Sequence, residues 1–221
     1  MKRFNIAIDG PSAAGKSTIA DILAEKLSYV HLDTGAMYRA VAYVCKNNGV
    51  AYDEQEKAAK LIEQRNLEMK ADGSVILDGK DISKEIRTNE MSMGASDVSK
   101  QPMVREALVA MQQKIAKDGG YILDGRDIGT VVLKDAPVKI YMVASAEARA
   151  QRRYLQNIEK GLDANLEEIL EDIKKRDYQD SHREHSPLKK ADDAVLVDSS
   201  DLTIDEVVEL IMNIIKDKVG A

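Results

Sequence analysis

The chain has 221 residues, 44% of them hydrophobic and 32% charged, with a formal net charge of −6 at pH 7. That length allows one α/β domain with inserts around a real core and argues against two unrelated full-size domains. No apolar run approaches a membrane span, the acidic balance and the low aromatic content, with no Trp and one Phe, disfavour a nucleic-acid surface, and a single cysteine, Cys45, excludes a disulfide framework or a cysteine metal site within the chain.

The opening MKRFNIAIDG carries two basic residues, but its apolar run is too short for a secretory signal, so a cytoplasmic protein is expected. FNIAIDG reads as a strand ending in glycine, and from Lys16 to about Leu27 the residues Ile19, Ile22, Leu23 and Leu27 recur at helical spacing. Strand and helix thus enclose Gly10-Pro11-Ser12-Ala13-Ala14-Gly15-Lys16-Ser17-Thr18, a complete Gly-x-x-x-x-Gly-Lys-Ser pattern. In that context the glycines let backbone N–H groups surround a β-phosphate and the helix amino end adds positive potential. Lys16 is placed to reach β/γ oxygens and Ser17 to offer its hydroxyl to Mg²⁺, so a purine triphosphate and Mg²⁺ are expected. Asp9, directly before the loop, is either a second carboxylate near Mg²⁺ or the acceptor phosphate, or a turn residue.

SYVHLDTG reads as a second strand ending at Asp33, and AMYRAVAYVCKNNG as a helix closed by Asn48 and Gly49. At this strand exit Asp33 suits the Mg²⁺ waters or the acceptor, Thr34 a polar ligand, Tyr38 a ring and Arg39 an acceptor phosphate; a helix cap and a surface arginine fit the same residues equally well. DEQEKAAKLIEQR is a further amphipathic helix. From Asn66 apolar residues alternate around the turn signals Asp72-Gly73 and Asp78-Gly79, predicting a small antiparallel sheet over about 66–87. It belongs to an acceptor-side insert at about 60–95. Helical segments broken near Pro102 and closed by Gly119-Gly120 follow.

YILDGRD and VKIYMVAS are the next strands, and IGTVVLKDAP between them reads as a loop. Leu123-Asp124-Gly125-Arg126-Asp127 puts two carboxylates and an arginine at a strand end. Asp124 suits the metal, through water, while Arg126 and Asp127 suit the acceptor; a structural ion pair is the alternative. Two helices flank Gly161 and carry Arg149, Arg152, Arg153, Arg176 and Arg183, whose guanidinium groups suit phosphate oxygens. They read as a closing lid at about 149–185, with Glu167, Glu168 and Lys174 left to solvent. DAVLVDSS and TIDEVVELIMNIIKDKV end the chain as strand and helix, capped by Thr203 or Ser200. His31, His182 and His185 are expected at the surface. The predicted fold is α/β: a P-loop NTPase-type parallel sheet with helices on both faces, plus the antiparallel insert and helical lid, all within one domain over 1–221. Ligands then belong at the carboxyl ends of the strands.

The stretches IDGPSAAGKST, HLDTGAMYRA, ISKEIRT, VREALVAMQQ, DGRDIGTVVLKDAPVKIYMVAS and KKRDYQDSHRE together resemble bacterial cytidylate kinases, nucleoside monophosphate kinases with a phosphate loop, over essentially the whole chain. The loop itself is widely shared; the DGRD-IGTVV block with its hairpin insert is far more specific. The resemblance implies transfer of the ATP γ-phosphate to CMP or dCMP. By motif match it implies that Ser96, Arg105 and Asp127 read the cytosine edge, that Arg126 grips phosphate, and that Asp180 meets the pentose with Arg183 nearby. Thr34 stands where the family commonly has serine, with Tyr38 at the same offset, and the extra methyl bears on the choice between CMP and dCMP. Lys16, Arg126, Arg153, Arg176 and Asp127 are the expected catalytic set, in a monomer without nucleic-acid or membrane partners. A kinase of another nucleoside monophosphate or small metabolite is the alternative; a nucleotide switch fits less, since the chain has no Asn-Lys-x-Asp guanine-reading motif.

Overall fold

The β-branched run before the glycine loop forms β1 (Ile6–Asp9), the middle strand of a parallel sheet. In the computed structural model, which describes residues 3–159 and 161–220, it is followed by α1 (Lys16–Leu27), β2 (Val30–Asp33), α2 (Thr34–Asn47) and α3 (Gln55–Glu63). A three-stranded antiparallel sheet comes next, β3 (Leu67–Met69), β4 (Val75–Leu77) and β5 (Lys80–Asp81), then α4 (Asn89–Val98) and α5 (Pro102–Ile115). The chain returns to the main sheet with β6 (Tyr121–Gly125) and β7 (Val138–Val143), leaves it through α6 (Ala146–Glu159) and α7 (Leu166–Ser181), and ends with β8 (Val195–Asp198) and α8 (Ile204–Val219). Met1, Lys2, Lys160 and Ala221 lie outside the described residues; the first two belong to the stretch read against a secretory signal, and Lys160 to the expected lid.

The main sheet runs β2-β6-β1-β7-β8, all parallel. Alternation along β1 sends Ile6 and Ile8 to one face and Ala7 to the other, and the neighbouring Ile122 and Leu123 divide in the same way. Helices α1 and α8 cover the first face through Ile19, Leu23, Val207 and Ile211; α2, α3 and α5 cover the second through Met37, Val41, Ile62 and Leu108. Both faces are dry, as parallel sheets require. The small sheet and the residues after it pack Val75, Ile82 and Ile86 on Ala36 and Ala40 of α2. Cys45 is free and buried, and burial pushes its thiol up to about 11, as a packed thiol should behave.

The connection out of β1 leads toward β2 on one side, while that out of β6 crosses to β7 on the other, so a crevice opens at the carboxyl ends of β1 and β6. Register brings the acids there to one level: Asp33 lies opposite Asp124, and Asp9 opposite Gly125. One local expectation changes and one is decided. Ile128–Val132 is a π-helical turn rather than a loop: the Val132 N–H reaches the Asp127 carbonyl at 3.3 Å and the Leu133 N–H reaches that of Ile128 at 2.7 Å. Of the two caps foreseen for α8, Thr203 is used, in a reciprocal arrangement with Glu206. Among the described residues no helix is long and apolar enough to cross a membrane.

Candidate active site

The loop between β1 and α1 needs its glycines for steric reasons. Gly10 has φ +150°, and a Cβ there would stand 2.0 Å from the Met142 carbonyl oxygen of β7; Gly15, at φ +91°, turns the chain into α1. Pro11 contributes its carbonyl, which accepts a 2.7 Å hydrogen bond from Lys16 Nζ and folds that side chain back over the loop. Burial, with Arg126 nearby, lowers the Lys16 ammonium to about 7 against the opposing pull of Asp124 and Asp9. Such a lysine gains from any anion placed beside it.

Asp9 is not a free carboxylate. Its two oxygens accept 2.7 Å hydrogen bonds from the N–H groups of Ile128 and Gly129, so it anchors the π turn that follows Arg126 and Asp127. Burial outweighs those bonds and raises Asp9 to about 6. This removes it from the expected role beside Mg²⁺ or the acceptor phosphate and makes it the support of the Arg126-Asp127 segment.

The two candidate metal carboxylates also separate. Asp33 caps α2 by accepting from the Ala36 N–H at 3.0 Å and pairs with Arg39 at 2.8 Å. Asp124 instead accepts from Ser17 Oγ at 2.8 Å, so the structure brings Asp124, not Asp33, to the hydroxyl expected to meet Mg²⁺. Its other oxygen lies 3.0 Å from Nε2 of His31, whose Nδ1 lies 2.6 Å from Asp21. His31 was expected at the surface; its side chain is only 10% exposed. Burial works against its charge, but the bonds and charges of Asp124 and Asp21 win and raise it to about 9. Asp124 is correspondingly held below the ordinary carboxylate value: burial opposes, while His31, Lys16 and Ser17 favour the anion. His182 stays at the surface as expected, stacked on Tyr178.

Facing the loop is a cleft walled by β2, β6, α2, α4, α5 and the α6–α7 pair. Ser12, Ala13, Lys16 and Ser17 of the loop line it together with Thr34, Tyr38, Arg39, Ser96, Arg105, Arg126, Asp127, Asp180 and Arg183, and Arg153 and Arg176 enter the same lining. Six arginines and one lysine stand against four aspartates there, a positive surface in an acidic chain. Arg126 Nε donates to Asp180 at 2.8 Å and Arg183 pairs with the other oxygen of the same carboxylate, which is 1% exposed. Arg105 pairs with Asp127, donates to the Ser99 carbonyl at 3.0 Å and lies over the Tyr38 ring at 5.6 Å. Tyr38 therefore packs on a guanidinium, and burial pushes its hydroxyl up to about 12. Thr34 Oγ1 donates to the Asp124 carbonyl at 2.7 Å, and Ser96 Oγ to Gln179 Oε1 at 3.4 Å. Arg153 and Arg176 enter no ion pair among the described residues, and Arg176 is lowered to about 10 by burial and by Arg126.

The other lid arginines are structural. Arg149 makes a two-pronged pair with Asp177 at 3.0 and 2.6 Å and also donates to the Ser12 carbonyl, tying α7 to the loop. Arg152 donates to the Ser199 carbonyl. Arg152, Gln156, Leu202, Thr203 and Ile204 line a second, more apolar cavity on the other side of the loop, into which Ala14, Gly15 and Thr18 also face. His31, Gln179, Ser199 and Asp177 were missed as parts of the site. Only His31 carried a local signal, a polar residue on the inward face of a strand.

A phosphate loop on a five-stranded parallel sheet, set between an apolar cavity and an arginine-lined cleft, defines a P-loop phosphotransferase acting on small molecules. The fold is shared with shikimate kinase from Bacteroides thetaiotaomicron, at TM-score 0.51 and 11% identity over 96% of this chain and 98% of that one. The family model for cytidylate kinase matches residues 6–217. The cytidylate kinases of Bacillus cereus strain B4264 and Bacillus thuringiensis strain Al Hakam are each 50% identical over 217 residues, covering 97% of this chain and 96% of each relative. The chain belongs to the cytidylate kinase family.

Proposed function

We propose that this chain transfers the γ-phosphate of ATP to CMP or dCMP, giving ADP and CDP or dCDP. An oxygen of the acceptor's own phosphate attacks the γ-phosphorus in line, and the bond to the β–γ bridging oxygen breaks as ADP leaves. The observation that carries this reading is the cleft itself: a buried Lys16 folded back on the Pro11 carbonyl, and two arginines, Arg153 and Arg176, that enter no ion pair among the described residues and line the same cleft as the acceptor-side residues. The arginines, and Lys16 once donor phosphates draw a proton to it, are cationic where equatorial phosphoryl oxygens gain charge, in a partly dry site where such help counts most.

The donor's phosphates rest on the loop from Gly10 to Thr18, and its base enters the apolar cavity beside Arg152 and Leu202. The acceptor's cytosine meets Ser96, Arg105 and Asp127. An aspartate accepts from the exocyclic amine while arginine and hydroxyl donate to the ring nitrogen and carbonyl, so a wrong base leaves buried polar groups unpaired. Arg126 and Arg39 take the acceptor phosphate, and Asp180 with Arg183 the pentose. The paired oxygens of Ser17 and Asp124 fit a hard divalent cation that keeps most of its waters, so they are the residues to hold Mg²⁺. Mg²⁺ held there would supply positive charge to the donor's phosphate oxygens.

We read residues 1–221 as one kinase domain, with an acceptor-side insert at about 60–95 and a lid at about 149–185, acting in the cytoplasm. We read the active unit as a monomer. The test is a coupled assay with ATP, Mg²⁺ and a panel of acceptors. CMP or dCMP should be preferred; no ADP and CDP formation, or preference for AMP or UMP, would overturn the assignment.

A further inference from the structure

Three side chains from separate parts of the chain end in a line behind Ser17. Asp21 comes from the second turn of α1, His31 from β2 and Asp124 from β6. His31 alternates with Leu32 along its strand: Leu32 enters the core under α2, α3 and α5, so His31 faces α1. There it spans two carboxylates, at 2.6 Å to Asp21 and 3.0 Å to Asp124. Asp124 is 4% exposed and has both oxygens committed, one to His31 and one to Ser17.

We infer that His31 is a positioning residue for phosphoryl transfer, fixed on its outer side by Asp21 and holding one oxygen of Asp124 so that the other is aimed at Ser17. A buried carboxylate with a single hydroxyl partner is free to rotate about its last torsion, and the two-point grip removes that freedom. The inference rests on reading Ser17 and Asp124 as the groups that hold Mg²⁺. A residue orienting a metal-holding group typically matters by a factor of about 10 to 100 in metal affinity or activity. His31 touches neither nucleotide nor metal in this scheme, so its effect runs through Asp124 alone.

The experiment compares wild type, His31→Leu, His31→Gln, Asp21→Ala and Asp124→Asn in two readouts. One is steady-state turnover against Mg²⁺ at saturating ATP and CMP. The other is Mn²⁺ binding by electron paramagnetic resonance with a non-hydrolysable ATP analogue and no acceptor, which needs no turnover. His31→Leu is expected to lower kcat and weaken Mn²⁺ about ten-fold each while KM for CMP stays within about two-fold. His31→Gln, which restores a donor to Asp124, should recover part of the loss, and Asp21→Ala should shift both readouts in the same direction by about three-fold. Wild-type Mn²⁺ affinity and kcat in His31→Leu, with only thermal stability changed, would reduce His31 to packing and overturn the inference. If that variant does not fold, Asp21→Ala decides, because the Asp21 side chain is 68% exposed; unchanged Mn²⁺ affinity and kcat there overturn it equally. An Asp124→Asn effect without a His31 effect removes the inference alone. No Asp124→Asn effect on Mn²⁺ removes the metal reading with it.

Discussion

Replacing Asp180 by asparagine keeps the side chain's shape and one acceptor oxygen but removes the charge that holds two arginines. Asp180 is 1% exposed, and the side chains of Arg126 and Arg183 are 18% and 7% exposed, so the variant leaves two cations poorly compensated in a mostly dry place. Breaking one side of a buried ionic group costs about 3–5 kcal/mol, and the partial exposure of Arg126 argues for the lower end, about 3 kcal/mol. For a chain of this size that is a fall in Tm of about 6–12 °C. The pH dependence has a definite sign. Burial would raise Asp180, but Arg126, Arg183 and Arg176 together hold it below its ordinary value of 3.8. A carboxylate lowered on folding contributes stability that is present above 3.8 and is lost as pH falls through its lowered value. The gap between wild type and variant should thus be constant from neutral pH down to about 5 and close below about 3.8. Sulfate, which can neutralise the released arginines, should stabilise the variant more than the wild type. The assay is thermal unfolding by circular dichroism across pH, with and without sulfate. A Tm within about 2 °C of wild type at pH 7, with no differential effect of sulfate, would refute the claim that Asp180 holds these charges.

Three further outcomes are expected. Lys16 is lowered by burial to about 7, so above that pH it is largely neutral, and donor phosphates should draw a proton into the site. Calorimetry of ATP binding in buffers of different ionisation enthalpy measures this uptake; heats independent of buffer, or uptake surviving in Lys16→Met, would contradict it. Because that lysine is lowered from 10.5, its folded-state penalty is full below about 7 and relaxes as pH rises toward 10.5. Gly10→Ala puts a methyl 2.0 Å from the Met142 carbonyl oxygen and should cost about 3 kcal/mol or more in urea unfolding, along with ATP affinity; a wild-type midpoint would refute the steric account. Asp9→Asn leaves one of two 2.7 Å backbone bonds without an acceptor, so stability should fall by about 1–3 kcal/mol and KM for CMP should rise as Arg126 and Asp127 shift; lost turnover with intact stability and KM would return Asp9 to the chemistry.

The loop was legible because its residues answer to local sterics: Gly10 and Gly15 sit where a side chain cannot, and Lys16 and Ser17 follow on the first turn of α1. The element types along the main sheet were legible for the same reason, from β-branched runs between helical periods. The strand order was not. Inserting β6 between β1 and β2 is a long-range choice, and it alone puts Asp124 beside Asp33 and within reach of His31. The π turn at Ile128–Val132 was equally hidden, since a β-branched stretch turns this way only because Asp9, more than a hundred positions earlier, offers two acceptors to its N–H groups. Arg149 and Arg153 could not be told apart by sequence: four positions apart on α6, one meets Asp177 and the Ser12 carbonyl, while the other faces the cleft.

The pairing of acids with arginines in the cleft bears on how selectivity arises. Arg105 and Asp127, the two charged groups assigned to the cytosine edge, are bonded to each other, and Asp180 is shared by Arg126 and Arg183. An acceptor therefore finds Asp127 already engaged: to reach that carboxylate it must share or take over the bond Arg105 makes to it. Such an exchange is nearly neutral when the ligand offers both a donor for Asp127 and acceptors for Arg105, as cytosine does. Uracil presents a carbonyl where cytosine has its amine, so it would separate the pair and leave Asp127 facing an acceptor, a loss of the size that buried unpaired polar groups impose, about 1–3 kcal/mol or more for a charged one. Discrimination would then come mainly from the carboxylate and not from the arginine. Asp127→Asn, whose side-chain amide offers a donor as well as an acceptor, should narrow the ratio of kcat/KM for CMP over UMP by about ten-fold or more. An unchanged ratio in a folded, active variant would mean that Asp127 serves only to hold Arg105.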